Sequence, residues 1–211
     1  MKGLIVSSGD INDYQLLANI IKKYDYVVCA DGGIRHLKNL GYIPDLVVGD
    51  LDSTKRLDLT YIEENSIKIK KFPTVKDSTD TELALYHLIE VGFKEIDLIG
   101  VTGSRLDHTF ANLLLLRILT RNNITGKIIN DTNQVYHIKD FIKLEKKDYS
   151  YVSIIPLNHD GVLVSLNGFF YSGAKQLIPY GTTLGVSNKL IEDEGYIKVH
   201  KGEALIIESK D

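Results

Sequence analysis

The chain alternates short apolar runs with segments of helical period over its first two thirds, and this alternation constrains the fold more than any other sequence feature. Strand-like runs stand out at 3–7, 26–30, 45–49 and 96–100. Segments of helical period lie at 14–23, 35–40, 81–91 and 106–121. A further strand is predicted at 67–72, just before Pro73. Strands that alternate with helices form parallel sheets covered by helices, so the pattern predicts an α/β fold.

The helical period disappears from about Lys127 onward. Short strand-like stretches take over, separated by Gly, Asn and Asp turns, at 152–157, 162–166, 196–199 and 204–208. This change predicts that the parallel-sheet α/β domain is followed by a smaller all-β domain, built as a sandwich or a flattened barrel. We place the boundary near residue 130, which gives predicted domains of 1–130 and 131–211.

Composition and charge exclude several classes of protein. The formal net charge of -3 argues against broad nucleic-acid binding, which needs basic surface. No apolar run approaches the ~20 residues that span a bilayer, and Met1 leads into a strand-like run without a signal-type tract. We therefore expect a cytoplasmic protein that binds neither nucleic acid nor membrane. The single cysteine, Cys29, has apolar neighbours and is interpreted as a buried structural thiol.

Acidic residues and glycines follow the predicted strands at the positions where a parallel sheet binds ligands. The second run ends in Asp31-Gly32-Gly33, the third in 49–53 with Asp50 and Asp52, and the run at 96–100 leads into 100–108 with Asp107. Magnesium prefers a few carboxylates together with water and phosphate oxygens, so these loops predict a site for Mg-nucleotide. Asp and Gly are also ordinary turn formers, and for any single loop that alternative stays open.

The segment 76–82 precedes an amphipathic helix and has two interpretations. Thr79 with Glu82 fits a capping box, which accounts for these two residues structurally. Asp77 and Asp80 remain available to the edge of the sheet where the other carboxylates are expected. Lys76 and Arg105 are the cations best placed for phosphate, beside the glycines and carboxylates. Neither a Walker-type nor a dinucleotide glycine motif occurs, so P-loop kinases and nicotinamide enzymes are not indicated.

Taken in order, these motifs resemble the thiamine pyrophosphokinase family. The residues that carry the resemblance are Asp-Gly-Gly at 31–33, Gly-Asp-Leu-Asp-Ser at 49–53, Lys-Asp-Ser-Thr-Asp-Thr-Glu at 76–82 and Gly-Val-Thr-Gly-Ser-Arg-Leu-Asp-His at 100–108. The likeness continues through 177–188, similar to the stretch that contributes to the thiamine pocket of the family. Two departures are Ser104, where the family often has a second glycine, and 168–173, which matches the family pattern poorly.

The resemblance implies an α/β domain that binds Mg-ATP and catalyses the reaction, and a β domain that contributes the thiamine pocket. It also implies a homodimer with thiamine bound where the subunits meet. The reaction would move the terminal pyrophosphate of ATP onto the hydroxyl of thiamine, releasing AMP.

The family's functional residues carry over to this sequence position by position. The catalytic residues would be Asp50, Asp52, Asp80 and Asp107, with magnesium on the first three. Nucleotide contacts would come from Asp31, Lys76, Thr79, Thr102 and Arg105. Thiamine contacts would come from Ser187 and Asn188.

Two rival functions remain open at this point. A magnesium-dependent phosphohydrolase could use the same carboxylates with water as the nucleophile. A catalytically silent nucleotide or thiamine sensor would keep a pocket without the full acidic set. Either Asp50 or Asp52 could accept the hydroxyl proton, although a carboxylate bound to magnesium is a weak base.

Overall fold

The computed structural model of the protein describes residues 1–52, 55–71 and 78–211. The predicted phosphate contact Lys76 and the acid Asp77 lie outside the described residues. These residues divide into two compact units, Met1–Asp131 and Thr132–Asp211. We refer to them as the N-terminal unit and the C-terminal unit.

The N-terminal unit contains a parallel sheet. Its described strands are β1 (Lys2–Val6), β2 (Tyr26–Ala30), β3 (Leu46–Val48), β4 (Ile69–Lys70), β5 (Glu95–Ile99) and β6 (Lys127–Ile129). They lie in the order β4-β3-β2-β1-β5-β6. Each adjacent pair of these strands is parallel, and Ile5 of β1 faces Val28 on one side and Leu98 on the other. The predicted parallel α/β architecture is confirmed.

Helices connect these strands: α1 (Tyr14–Ile21), α2 (Ile34–Asn39), α3 (Arg56–Glu64), α4 (Asp80–Val91) and α5 (Leu106–Arg121). Helix α4 begins where the sequence predicts, because the Thr79 side chain caps it by accepting a hydrogen bond from the Glu82 N–H at 3.3 Å. It ends at Gly92, whose φ of 96° only glycine adopts without strain. Helix α3 was not predicted.

The core of the N-terminal unit is formed by strand residues together with the apolar faces of the helices. Leu4, Val27 and Val47 are all fully buried. Cys29 is also fully buried, and burial raises the pKa of its thiol, as expected for a structural cysteine. Asp97 is a buried acid on β5, where it accepts hydrogen bonds from Tyr24 Oη at 2.5 Å and from the backbone N–H of Lys127 at 2.9 Å.

The C-terminal unit is an antiparallel β-sandwich. Its strands are β7 (Asn133–Ile138), β8 (Phe141–Glu145), β9 (Tyr151–Pro156), β10 (Val162–Asn167), β11 (Gly173–Ile178), β12 (Glu194–Lys201) and β13 (Ala204–Ser209). One sheet places β13 between β7 and β9, and the other has the order β11-β10-β12-β8. Ile154 and Ile206 of the first sheet pack in one core with Val164 and Ile197 of the second. The predicted C-terminal β domain is confirmed.

Among residues 1–52, 55–71 and 78–211, no helix combines the length and the apolar content that a membrane crossing requires.

Candidate functional site

Two loops run side by side beyond the carboxyl ends of β1 and β5. The Ser7 N–H donates to Ile99 O at 2.9 Å, the Gly9 N–H to Gly100 O at 2.5 Å, and the Asp10 N–H to Thr102 O at 2.7 Å. The approach is so close that a Cβ on Gly9 would lie 2.4 Å from Thr102 O. Glycine at position 9 is therefore required by the packing of one backbone against the other.

These loops form one wall of a cavity of about 420 Å³. The other lining residues come from α2, α4 and α5, and the full set is Ser7–Asp10, Arg35, Thr81, Gly100–Arg105, His108, Thr109 and Asn112. The predicted nucleotide contacts Thr102 and Arg105 are both in the lining. The cavity combines glycine backbone with hydroxyl groups and two arginines, which suits an anionic ligand such as a nucleotide phosphate.

Helix α5 and its neighbours hold the second loop in place. Thr109 Oγ1 accepts from the Gly103 N–H at 3.1 Å, and Asn112 Nδ2 donates to Val101 O at 2.8 Å. Thr102 Oγ1 accepts from Asn130 Nδ2 at 3.2 Å. The first loop is tied to α4 by a hydrogen bond of 2.9 Å between the hydroxyls of Ser7 and Thr81. The cavity is therefore built on helices and strands that fix its loops.

Predicted acidic residues meet at Gly49, which directly follows β3. The position that a Gly49 Cβ would occupy lies 3.4 Å from both Cα and Cβ of Asp31 and 3.4 Å from Cγ of Asp80. Asp31 has a φ of 43° and Gly49 a φ of 148°, conformations that are costly for most side chains. The structure thus places Asp31, from the loop after β2, and Asp80, from the first turn of α4, on either side of Gly49.

Asp50 and Asp52 flank a residue that turns inward. Leu51 is 8% exposed and has a φ of 64°, so its side chain is buried while its backbone is left-handed. This turn lets the Asp52 N–H donate to Asp50 Oδ1 at 3.1 Å. Asp50 is adjacent in sequence to Gly49 and therefore to the meeting point of Asp31 and Asp80. We call Asp31, Asp50, Asp52 and Asp80 the acidic edge.

The acidic edge supplies carboxylate oxygens, the donors that Mg²⁺ prefers. Within the described ranges, however, no group of three or more His, Cys, Asp or Glu side chains is gathered closely enough to hold a metal. The carboxylates present fit magnesium in the chemistry of their oxygen donors. The specific ligand set Asp50, Asp52 and Asp80 stays a prediction.

Arg105 and Asp107 form an ion pair with two contacts at the start of α5. Arg105 Nη2 lies 2.6 Å from Asp107 Oδ2, and Arg105 Nε lies 3.3 Å from Oδ1. The arginine, with a smaller contribution from the His108 backbone N–H, lowers the pKa of Asp107 to about 2. Asp107 is therefore ionised at neutral pH, and its charge offsets that of Arg105 beside the cavity.

The C-terminal unit has a separate, mostly apolar cavity of about 650 Å³. It is lined by Ile154, Leu166, Tyr171, Gln176, Leu177, Ile178, Leu184, Gly185, Val186 and Asn188. Asn188 Oδ1 accepts from the Tyr171 and Lys189 N–H groups at 3.0 and 2.8 Å, and its Nδ2 donates to Tyr171 O at 2.9 Å. Asn188 thus lines the cavity and fastens Tyr171 to its wall. Ser187 is exposed and is outside the lining set.

Comparison with known proteins matches both units. A family model described as "Thiamin pyrophosphokinase, catalytic domain" matches residues 17–128, and one described as "Thiamin pyrophosphokinase, vitamin B1 binding domain" matches residues 140–203. The curated thiamine pyrophosphokinase of Bacillus subtilis is 32% identical over 211 residues, covering 98% of each chain. The chain belongs to the thiamine pyrophosphokinase family. The resemblance predicted from the sequence motifs is confirmed.

Solved structures of the thiamine pyrophosphokinase family have the same fold over the whole chain. The enzyme from Bacillus subtilis gives a TM-score of 0.89 at 29% identity and full coverage of both chains. The protein from Geobacillus thermodenitrificans gives 0.87 at 29% identity, covering 100% of this chain and 98% of the other. The yeast enzyme, at 22% identity, gives 0.81 over 99% of this chain and 86% of its own, and supports the fold alone.

The match to the thiamine pyrophosphokinase catalytic domain includes the acidic edge, Asp107 and most of the polar cavity. The match to the vitamin B1 binding domain includes every lining residue of the apolar cavity. The chain is therefore an enzyme and a kinase, as predicted.

Sequence reasoning missed Ser7–Asp10, although this loop obeys the same rule of polar residues after a strand. It also missed Arg35 and Asn112, for which the sequence contains no comparable signal.

Proposed function

We propose that this enzyme transfers the terminal pyrophosphate of Mg-ATP to the hydroxyl of thiamine, giving thiamine diphosphate and AMP. The observation that carries the proposal is the arrangement at the carboxyl ends of the parallel strands. A glycine-lined polar cavity lies beyond β1 and β5, and carboxylates converge at Gly49 beyond β2 and β3. Ligands bind at this edge of open parallel sheets.

In this proposal, the nucleotide occupies the polar cavity. Arg35 and Arg105 supply positive charge, and Thr102 supplies a hydroxyl group for phosphate oxygens. Because Asp107 offsets Arg105 and Asp10 also lines the cavity, the surface is not strongly basic, and the arginines would act as hydrogen-bond donors to the phosphates. Asp31 and Thr79 would lie beside the phosphate chain.

Asp50, Asp52 and Asp80 would hold magnesium, which when bound would neutralise charge on the transferred group. The thiamine hydroxyl oxygen forms a bond to the β-phosphorus of ATP, and the bond from that phosphorus to the oxygen that bridges it to the α-phosphorus breaks. AMP leaves with the bonding electrons. The hydroxyl proton passes to a carboxylate of the acidic edge, with Asp50 and Asp52 as the two candidates.

Thiamine would bind in the apolar cavity of the C-terminal unit. Tyr171 lines this cavity and is 66% exposed, so its ring is available to stack on an aromatic ligand. Asn188 would hold Tyr171 in position and form part of the cavity wall, and Ser187 would lie beside it.

Phe170 and Leu184 are 65% and 69% exposed, and a second copy of the chain would cover such apolar surface. We therefore propose a homodimer whose subunits share the site, working in the cytoplasm.

The reaction is tested with purified protein, Mg-ATP and thiamine. We expect AMP to form only when both thiamine and magnesium are present, and EDTA to abolish its formation. Phosphate release without thiamine would indicate a hydrolase, and binding without turnover would indicate a sensor.

Asp50→Asn and Asp52→Asn should each remove most turnover. The matched control Asp148→Asn changes an exposed acid of the C-terminal unit and should keep its turnover.

The shared site is tested by mixing two inactive variants. Asp50→Asn and a disabling Asn188 variant are unfolded together in equal amounts and refolded. Random pairing makes roughly half of the dimers mixed, each with one intact site, so activity should return to about a quarter of wild type. A mixture as inactive as its parents would reject the shared site and leave the reaction assignment in place.

A further inference from the structure

A buried histidine contacts the back of the loop that walls the polar cavity. His36 of α2 is 4% exposed, and its Nε2 lies 2.8 Å from Gly9 O. On the other side of the ring, Nδ1 lies 2.8 Å from Tyr14 Oη, and this hydroxyl accepts from Asn39 Nδ2 at 3.1 Å. These contacts join α1 and α2 to residues that follow β1.

The contacts determine which ring nitrogen of His36 carries the proton. A carbonyl oxygen can only accept, so the proton of a neutral His36 is on Nε2 and is donated to Gly9 O. Nδ1 then accepts the proton of the Tyr14 hydroxyl. Arg35 Nε lies 3.4 Å from the same Nε2, and a hydrogen bond there would need Nε2 to be unprotonated. Because the bond to Gly9 O is shorter, at 2.8 Å, we assign the proton to Nε2. Burial lowers the pKa of His36, although the Gly9 carbonyl opposes this effect, and the neutral form is favoured at neutral pH.

The bond sets the direction of the Gly9 carbonyl. Gly9 lines the polar cavity, whereas His36 is outside its lining. The shorter bond of the Gly9 carbonyl, at 2.8 Å, goes to the buried His36 ring, and Arg35 Nη2 is a longer second contact at 3.5 Å. The bond to His36 therefore draws the carbonyl oxygen toward the buried ring and keeps its partial negative charge away from an anionic ligand. Arg35 Nη2 supports the same loop by donating to Ser8 O. The neighbouring Gly9 N–H is already bound to Gly100 O at 2.5 Å, so both faces of this peptide segment are held.

We infer that His36 is a positioning residue for the nucleotide cavity, and that it acts by turning the Gly9 carbonyl away from the bound polyphosphate. The inference rests on the proposed function only in taking the cavity to bind Mg-ATP. His36 has no contact with substrate in this role. It determines how tightly the nucleotide binds, and thiamine binding in the other unit is unaffected.

Two amide variants separate the role from simple packing. In His36→Gln, the side-chain N–H group reaches the position of Nε2 and can still donate to Gly9 O. In His36→Asn, the shorter side chain reaches only the position of Nδ1, so the carbonyl loses its 2.8 Å donor and keeps only the 3.5 Å contact with Arg35 Nη2. We expect Mg-ATP, titrated by calorimetry, to bind about tenfold more weakly to His36→Asn and within about threefold of wild type to His36→Gln. The KM for thiamine should stay unchanged in both variants.

The outcomes distinguish this inference from the proposed function. Equal Mg-ATP affinity in the two amide variants would overturn the role of His36, whatever their stability in urea. If the wild-type protein binds Mg-ATP but makes no AMP from thiamine, the proposed function is rejected and this inference stands. If the wild-type protein does not bind Mg-ATP, both are overturned. Should either variant fail to fold, nitrogen NMR of wild type still decides, because a proton on Nδ1 instead of Nε2 would refute the inference.

Discussion

The close approach of the two loop backbones at Gly9 can be tested by adding a single methyl group. In Gly9→Ala, the new Cβ would lie 2.4 Å from Thr102 O and 2.5 Å from Gly100 O. Ordinary carbon–oxygen contacts are about 3.3 Å or longer, so the two loops must separate by about 1 Å. Both neighbours are backbone atoms, which no side-chain rotation can move aside.

The free energy of this separation follows from the bonds that it breaks. The Gly9 N–H to Gly100 O and Asp10 N–H to Thr102 O bonds, at 2.5 and 2.7 Å, cannot survive the shift. At about 1 kcal/mol each, with further strain in the loops, we expect a loss of about 2–4 kcal/mol in the free energy of unfolding. Gly41→Ala is the control, because Gly41 has a φ of 65° and no atom within 4 Å of the added Cβ. It should cost only about 1 kcal/mol, from backbone strain alone.

Urea denaturation measures the stability of both variants, and calorimetric titration measures their affinity for Mg-ATP. Gly9→Ala should bind Mg-ATP at least about tenfold more weakly than wild type, because the loops that wall the cavity have moved. Gly41→Ala should bind it normally. If Gly9→Ala is as stable as Gly41→Ala and keeps its affinity, the packing of these loops does not shape the nucleotide site.

The remaining predictions concern charge and side-chain bonding. Arg105→Gln should raise the pKa of Asp107 from about 2 toward its ordinary value of 3.8, measured by NMR titration of the carboxyl carbon. Burial raises the pKa of Asp97 above 3.8, so the folded state binds this proton more tightly than the unfolded chain. Wild-type stability should therefore fall as pH rises from 3.8 through the raised pKa, and stability curves of Asp97→Asn should lack this decline. Asn188→Ala removes three bonds to the Tyr171 and Lys189 backbone and should cost about 2–3 kcal/mol in urea, with the KM for thiamine raised more than that for ATP.

The sequence predicts the long and strongly patterned elements well and the short or exposed ones poorly. Helix α5 has the predicted bounds, because a long segment of helical period contains its own signal. Helix α3 has a weak pattern, since its Leu57 is 73% exposed and Asp58 is buried beside Lys38. Strands β8 and β11 were missed for a related reason, because most of their residues are exposed. Strand β7 was also missed, although half of its residues are buried.

In the candidate site, contacts between residues far apart in the sequence were also harder to predict than local patterns. Asp31 and Asp80 were predicted to converge because each follows a strand or begins a helix at one edge of the sheet. No sequence pattern joins His36 to Tyr14 and Gly9, which are 22 and 27 residues away. The left-handed backbone of Leu51 was equally invisible, since leucine has no preference for that conformation. Such contacts depend on tertiary packing and not on local propensity.

The place of β13 in the C-terminal unit has a consequence for biosynthesis. This strand (Ala204–Ser209) comes after β7 and β9 in the chain, yet it lies between them and pairs with both. On the ribosome, β7 and β9 are therefore made long before the strand that joins them emerges from the exit tunnel. The N-terminal unit can fold while synthesis continues, but this sheet must wait for residue 209.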